Sequence, residues 1–105
     1  MAGQTIPIST ANEMIAEYFA YMSNLGVNME DQTQSVSFTS NTVMDYLNNV
    51  MPNADELRVF METYPPEHPH AGRTSVILWP FKNGEPALDS NDESFEPFNE
   101  GTGTP

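Results

Sequence analysis

LRVFMETY (57–64), PPEHPHAGR (65–73) and TSVILWPF (74–81) decide the fold. In the first run Leu57, Val59, Met61 and Thr63 alternate with Arg58, Phe60, Glu62 and Tyr64, the period-2 pattern of a strand, and Pro65 and Pro66 close it. In the third run Val76 to Trp79 is apolar without alternation, which predicts a strand buried on both faces at the centre of a sheet. The segment between them holds three prolines, Gly72 and both histidines, so it reads as a polar loop joining an antiparallel hairpin. Asn83-Gly84 then predicts a type I′ turn, after which EPALD (85–89) returns as a short edge strand, the one strand position where Pro86 is tolerable.

Upstream of the hairpin the period changes. Thr10 and Glu13 match a capping box, and Met14, Ile15, Tyr18, Phe19, Met22 and Leu25 recur at helical spacing up to Gly26, which suits the left-handed position after a helix. Such a Met, Tyr and Phe stripe is the signature of packing rather than of a cofactor site. After an acidic loop over 27–34, SVSFTS (35–40) alternates as a short strand. A second helix is predicted from a cap at Ser40 or Asn41, with Val43, Met44, Leu47 and Val50 or Met51 inward, ending at Pro52. The order α-β-α-β-β predicts an α+β two-layer domain over 1–88: a small mixed sheet of three or four strands, two helices on one face, the second helix acting as a crossover between parallel strands. Residues 89–105 form an acidic Gly/Pro/Asn-rich C-terminal tail, in which Phe95 and Phe98 are expected to lie on the sheet face opposite the helices, covering Phe60 or Tyr64.

Fifteen acidic residues against three basic ones, Arg58, Arg73 and Lys82, leave a net charge of −12. That field repels phosphate backbones and anionic headgroups, so nucleic acid and membrane surfaces are excluded as partners, while a protein partner, a small ligand or a second copy of the chain is compatible with it. With no cysteine there is neither a disulfide framework nor a thiolate metal site. MAGQTIPIST (1–10) has no basic stretch or apolar run and no later segment is long enough to span a bilayer, so the expectation is a soluble, cytoplasmic protein.

The chain carries no nucleophile elbow, P-loop, dinucleotide fingerprint or HExxH, so no cofactor and no metal are assigned. Two constellations remain. Glu67, His68, His70 and Arg73 sit close together in the loop, where an imidazole could act as acid or base, yet two histidines are too few for a closed metal site. Asp89, Asn91, Glu93 and Glu100 fall at positions 1, 3, 5 and 12 of a calcium-loop spacing, with Ser94 where glycine belongs and Pro97 at position 9. Phe60, Tyr64, Trp79 and Lys82 could line a ligand or partner surface on the sheet. The reading is a non-catalytic binding protein acting through an aromatic sheet face; the alternative is a small hydrolase or metal-dependent enzyme using the Glu67–Arg73 loop.

ANEMIAEY, SVSFTSNTVMDYL, DELRVFMETYP, GRTSVILWPFKNGEP and FNEGTGTP together resemble an uncharacterised family of small α+β proteins common in the Bacteroidota, over nearly the whole chain. The resemblance implies the same helix, strand, helix, strand, strand order, a bacterial source and no established activity. Many members of that family end in N-x-G-x-x-C-P-P-x-C; here Asn99 and Gly101 match and the cysteines are missing, a departure that counts against a redox or metal role for the tail.

The charge balance sets an expectation for stability. The melting temperature should rise from low salt to about 0.1 M, where screening acts over ~10 Å. A flat or falling midpoint would mean that the carboxylates are already compensated locally.

Overall fold

A computed structural model describes residues 3–99 and 101–104, and the chain divides into two compact units, Met1–Gln32 and Thr33–Pro105. The first unit contains α1 (Ile8–Asn24). It begins before the predicted cap: Pro7 is the extended cap residue at φ −60° and ψ 148°, and its carbonyl accepts the Ala11 N–H at 3.0 Å. Thr10 and Glu13 therefore lie inside the helix and cap nothing, because the φ that Pro7 holds already sets the chain up to start there. The other end is as predicted. Gly26 takes φ +89°, its amide donates to the Ser23 carbonyl, and the Val27 amide reaches back to Met22, the paired bonds of a Schellman cap. Of the predicted apolar stripe Phe19 and Met22 are half-buried, whereas Met14, Ile15, Tyr18 and Leu25 are exposed.

The second unit runs β1 (Ser35–Ser37), α2 (Ser40–Val50), a 3₁₀ turn at Met51–Asn53, β2 (Glu56–Thr63), β3 (Thr74–Lys82), β4 (Glu85–Pro86) and β5 (Thr102–Thr104). The α+β class, the two helices and the three-stranded sheet are those the sequence predicts. β2 and β3 pair antiparallel in unbroken register from Glu56↔Phe81 to Thr63↔Thr74, and β3 pairs β4 through Phe81↔Pro86 and Lys82↔Glu85. Asn83 and Gly84 both have positive φ, 53° and 82°, as a type I′ turn demands.

β1 departs from the expected topology. Instead of joining the main sheet in parallel through the α2 crossover, it pairs antiparallel with β5, Ser35↔Thr104 to Ser37↔Thr102, in a separate two-stranded sheet. Every strand pair among the described residues is antiparallel, so the sheet is not mixed. A three-residue strand gains more from the straighter bonds of an antiparallel partner than from slanted parallel ones, and the Thr-Gly-Thr segment supplies that partner.

Thr39 rather than Ser40 or Asn41 is the cap residue of α2, at φ −66° and ψ 143°; its carbonyl accepts the Val43 N–H and its hydroxyl pairs with that of Thr42 at 2.6 Å. The inward face is Val43, Tyr46, Leu47 and Val50, whereas Met44 is exposed. That set follows i, i+3, i+4, i+7, and Tyr46 fills the place assigned to Met44. Val50 and Ala87, each 1% exposed, anchor the core with Pro80, Leu78 and Phe81.

The tail folds back onto this core. Leu78 and Phe98 exchange both backbone hydrogen bonds, 2.8 and 2.9 Å, so residue 98 continues the β3 edge beyond β4. Directly paired residues share a face. Phe98 therefore stands on the Leu78 side, its ring 4.7 Å from that of Tyr46 and 5.2 Å from Phe38, which puts it on the face of α2 and not on the opposite face as expected. The Tyr46 hydroxyl donates to the Glu96 carbonyl at 2.8 Å, and burial raises its pKa above the ordinary value, so it stays a donor through the neutral range.

Gly101 makes the return possible. A Cβ there would collide with Val36 and come within 2.7 Å of the Phe38 ring. Gly101→Ala should therefore cost about 1–3 kcal/mol, the usual penalty of overpacking, read as a lower midpoint in urea with an unchanged slope. A neutral substitution would show that the β1–β5 pair is not seated against Gly101.

Candidate functional site

The hairpin loop is built rather than loose. Tyr64 N–H donates to the Arg73 carbonyl at its base, His68 N–H to Pro65, Ala71 N–H to His68 and Arg73 N–H to His70, while Gly72 at φ +83° makes the last bend. His68 stacks on Tyr64 at 4.2 Å between ring centroids, and its Nδ1 accepts the His70 N–H at 3.0 Å. Accepting through Nδ1 leaves the proton of a neutral imidazole on Nε2. The His70 ring lies 5.5 Å from His68 and 5.9 Å from Tyr64.

Beside this loop is a pocket of about 260 Å³ lined by Thr33, Tyr64, His70, Arg73, Thr74, Ser75, Gly101 and Gly103. Four segments contribute: the loop, the start of β3, Thr33 two residues before β1, and Gly101 and Gly103 before and within β5. Ser75 is 3% exposed and its Oγ has no hydrogen-bond partner. Glu67 is exposed and outside the lining.

The residues singled out in the sequence thus separate into groups. Tyr64, His68, His70 and Arg73 come together in the loop. Phe60 and Trp79 sit further along the sheet with Phe81, at centroid distances of 5.7 to 6.0 Å, and the Arg58 guanidinium lies 4.1 Å above the Phe81 ring. Lys82 belongs to neither: it pairs with Glu85 at the Asn83-Gly84 turn and borders a shallow hollow with Pro52, Asn53 and Leu88. Of the calcium-like spacing, Asp89 turns its Oδ1 onto the Asn91 and Glu93 amides, and the Leu88↔Ser94 bridge closes that turn; Glu100 lies outside the described residues. Among the described residues no three His, Cys, Asp or Glu side chains are placed to hold one metal ion, and no helix is long and apolar enough to cross a membrane.

Sequence reasoning missed Thr33, Thr74, Ser75, Gly101 and Gly103. Ser75 carried a readable signal, because in the β2–β3 register it opposes Glu62 and so falls on the same face as Tyr64, and Thr74 is its neighbour at the start of β3. Thr33, Gly101 and Gly103 reach the pocket only through the β1–β5 pairing. No family model, curated protein or solved structure matches the chain.

The stacked and hydrogen-bonded position of His68 makes it more than a solvated loop residue. His68→Ala should cost about 1 kcal/mol, the worth of one hydrogen bond with its ring contact, whereas Glu67→Ala should stay within about 0.5 kcal/mol. Equal, negligible shifts in both would mean that the loop is not ordered by the Tyr64–His68 stack.

Proposed function

We propose that this chain is a non-catalytic binding protein that takes an extended segment of a partner protein along β2 and the aromatic face beside it. The observation that carries the reading is the state of β2. It is an eight-residue strand at the edge of its sheet, and the three consecutive residues Val59, Phe60 and Met61 are 58, 39 and 73% exposed. Side chains of successive residues point to opposite faces, so apolar surface is open on both sides of a strand whose outer backbone groups also lack a neighbouring strand among the described residues. Proline, lysine and a bulge, three of the devices that protect solitary edges, are absent from Glu56–Thr63, whose charges Glu56, Arg58 and Glu62 stand outside the central Val59–Met61 stretch.

Strand addition supplies what such an edge lacks: main-chain hydrogen bonds for affinity, and contacts for alternate side chains of the guest. Phe60 and Trp79, backed by the buried Phe81, offer an aromatic wall on one side, while Val59 and Met61 are open on the other. The net charge of −12 favours a guest segment that carries lysine or arginine.

An array of unrelated decapeptides, graded from acidic to basic, tests this. The protein should retain extended basic and apolar peptides, and the pair Phe60→Ser, Met61→Lys should weaken retention about tenfold while leaving the circular dichroism spectrum unchanged. Undiminished retention by the double variant would sink the proposal. Concentration-dependent dimerisation of the wild type, abolished in the double variant, would instead make a second copy the occupant.

A further inference from the structure

We infer that the pocket beside the histidine loop is a separate binding site for a small organic oxyanion, a molecule carrying a carboxylate or phosphate group. Three observations converge on that class of ligand. The first is composition. The chain has fifteen acidic residues and three basic ones, yet the pocket's lining holds one of those three, Arg73, together with His70, the Tyr64 phenol and the hydroxyls of Thr33, Thr74 and Ser75. A guanidinium fork flanked by hydroxyls is the arrangement that matches planar oxyanion geometry.

The second is Ser75. The Ser75 hydroxyl is 3% exposed and its Oγ has no protein partner, so it has a hydrogen bond to give to a ligand or water in the pocket. Its cross-strand neighbour Glu62 is outside the lining. The third is shape. Gly101 and Gly103 bring backbone without side chains to the wall opposite the loop, and about 260 Å³ exceeds what a bare oxyanion fills, given that one water takes about 30 Å³ of liquid. The ligand therefore carries an organic body, with the Tyr64 and His70 rings as its apolar boundary.

This site is independent of the β2 edge. Amide NMR titration of the full chain with inorganic phosphate, phenyl phosphate and benzoate tests it. Saturable shifts are expected at Thr74, Ser75, Gly101 and Gly103, stronger for an organic probe than for inorganic phosphate, and the better of phenyl phosphate and benzoate tells whether phosphate or carboxylate is the preferred head. Arg73→Gln should weaken binding about tenfold, and Arg73→Lys, which keeps the charge and loses the fork, should fall between. Ser75→Ala should weaken binding and at the same time raise the melting temperature of the free protein, because it removes an uncompensated buried hydroxyl. Lys82→Gln, outside the pocket, should change neither. Absence of saturable shifts at tens of millimolar probe, equal weakening by Lys82→Gln and Arg73→Gln, or a lower melting temperature in Ser75→Ala with unaltered binding would each overturn the assignment.

Discussion

The ladder between β2 and β3 is the constraint on which the second unit depends. Its unbroken register sets which side chains share a face: Leu57, Val59, Met61, Val76, Leu78 and Pro80 on one, Arg58, Phe60, Glu62, Ser75, Ile77, Trp79 and Phe81 on the other. A slip of one residue would exchange the two sets and move Leu78 and Pro80 out of the core. The same ladder sets the ends. Beyond Thr63↔Thr74 the chain must turn through the histidine loop, and beyond Glu56↔Phe81 the Asn83-Gly84 turn returns β4 along β3. The free side of β3 is thereby taken by β4 and Phe98, which leaves β2 as the open edge.

The apolar face of the sheet is covered only in part. Leu78 and Pro80 are buried on the side where Phe98 meets Tyr46 of α2, while Val59 and Met61, on that same side, remain open. An eleven-residue helix and one tail phenylalanine are too short a second layer for strands of eight and nine residues. On the other face the three rings of Phe60, Trp79 and Phe81 pack against one another and Arg58 caps Phe81, so the surface is its own partial cover. Uncovered apolar surface and an unpaired edge thus coincide in one strand, two features that each leave an isolated sheet open to association.

Some of the fifteen acidic side chains have a local role. Asp89 spends its carboxylate on the amides of its own turn, and Asp55 Oδ2 accepts the Asn83 N–H at 3.1 Å, bracing the turn that sends β4 back. Glu56 and Arg58 pair on the exposed face, a contact that contributes little because water screens it. The three cations thus stand apart: one over an aromatic ring, one at a turn, one at the pocket. In a chain so acidic, the pocket gathers a guanidinium, an imidazole and hydroxyls among its described lining residues.

The hairpin, the type I′ turn, the Gly26 cap and the position of both helices were legible because each depends on neighbours within a few residues: alternation, a pair of prolines, an Asn-Gly step, a 3.6-residue stripe. Tyr64, His68, His70 and Arg73 were legible as a group for the same reason, since one loop carries them. What lay beyond local reading was pairing across long separations. Nothing in SVSFTS specifies that its partner is Thr-Gly-Thr near the end of the chain rather than a parallel strand, because a three-residue strand has too few side chains to encode a choice. The side of the sheet that Phe98 takes follows from its bond pair with Leu78, and the exchange of Tyr46 for Met44 on the inner face of α2 follows from where that ring lands. Sequence by itself determined the elements and the chemistry of the loop; only the tertiary structure decided that Ser75, Thr33, Gly101 and Gly103 close a pocket around it, since contacts between segments so far apart depend on the fold bringing them together.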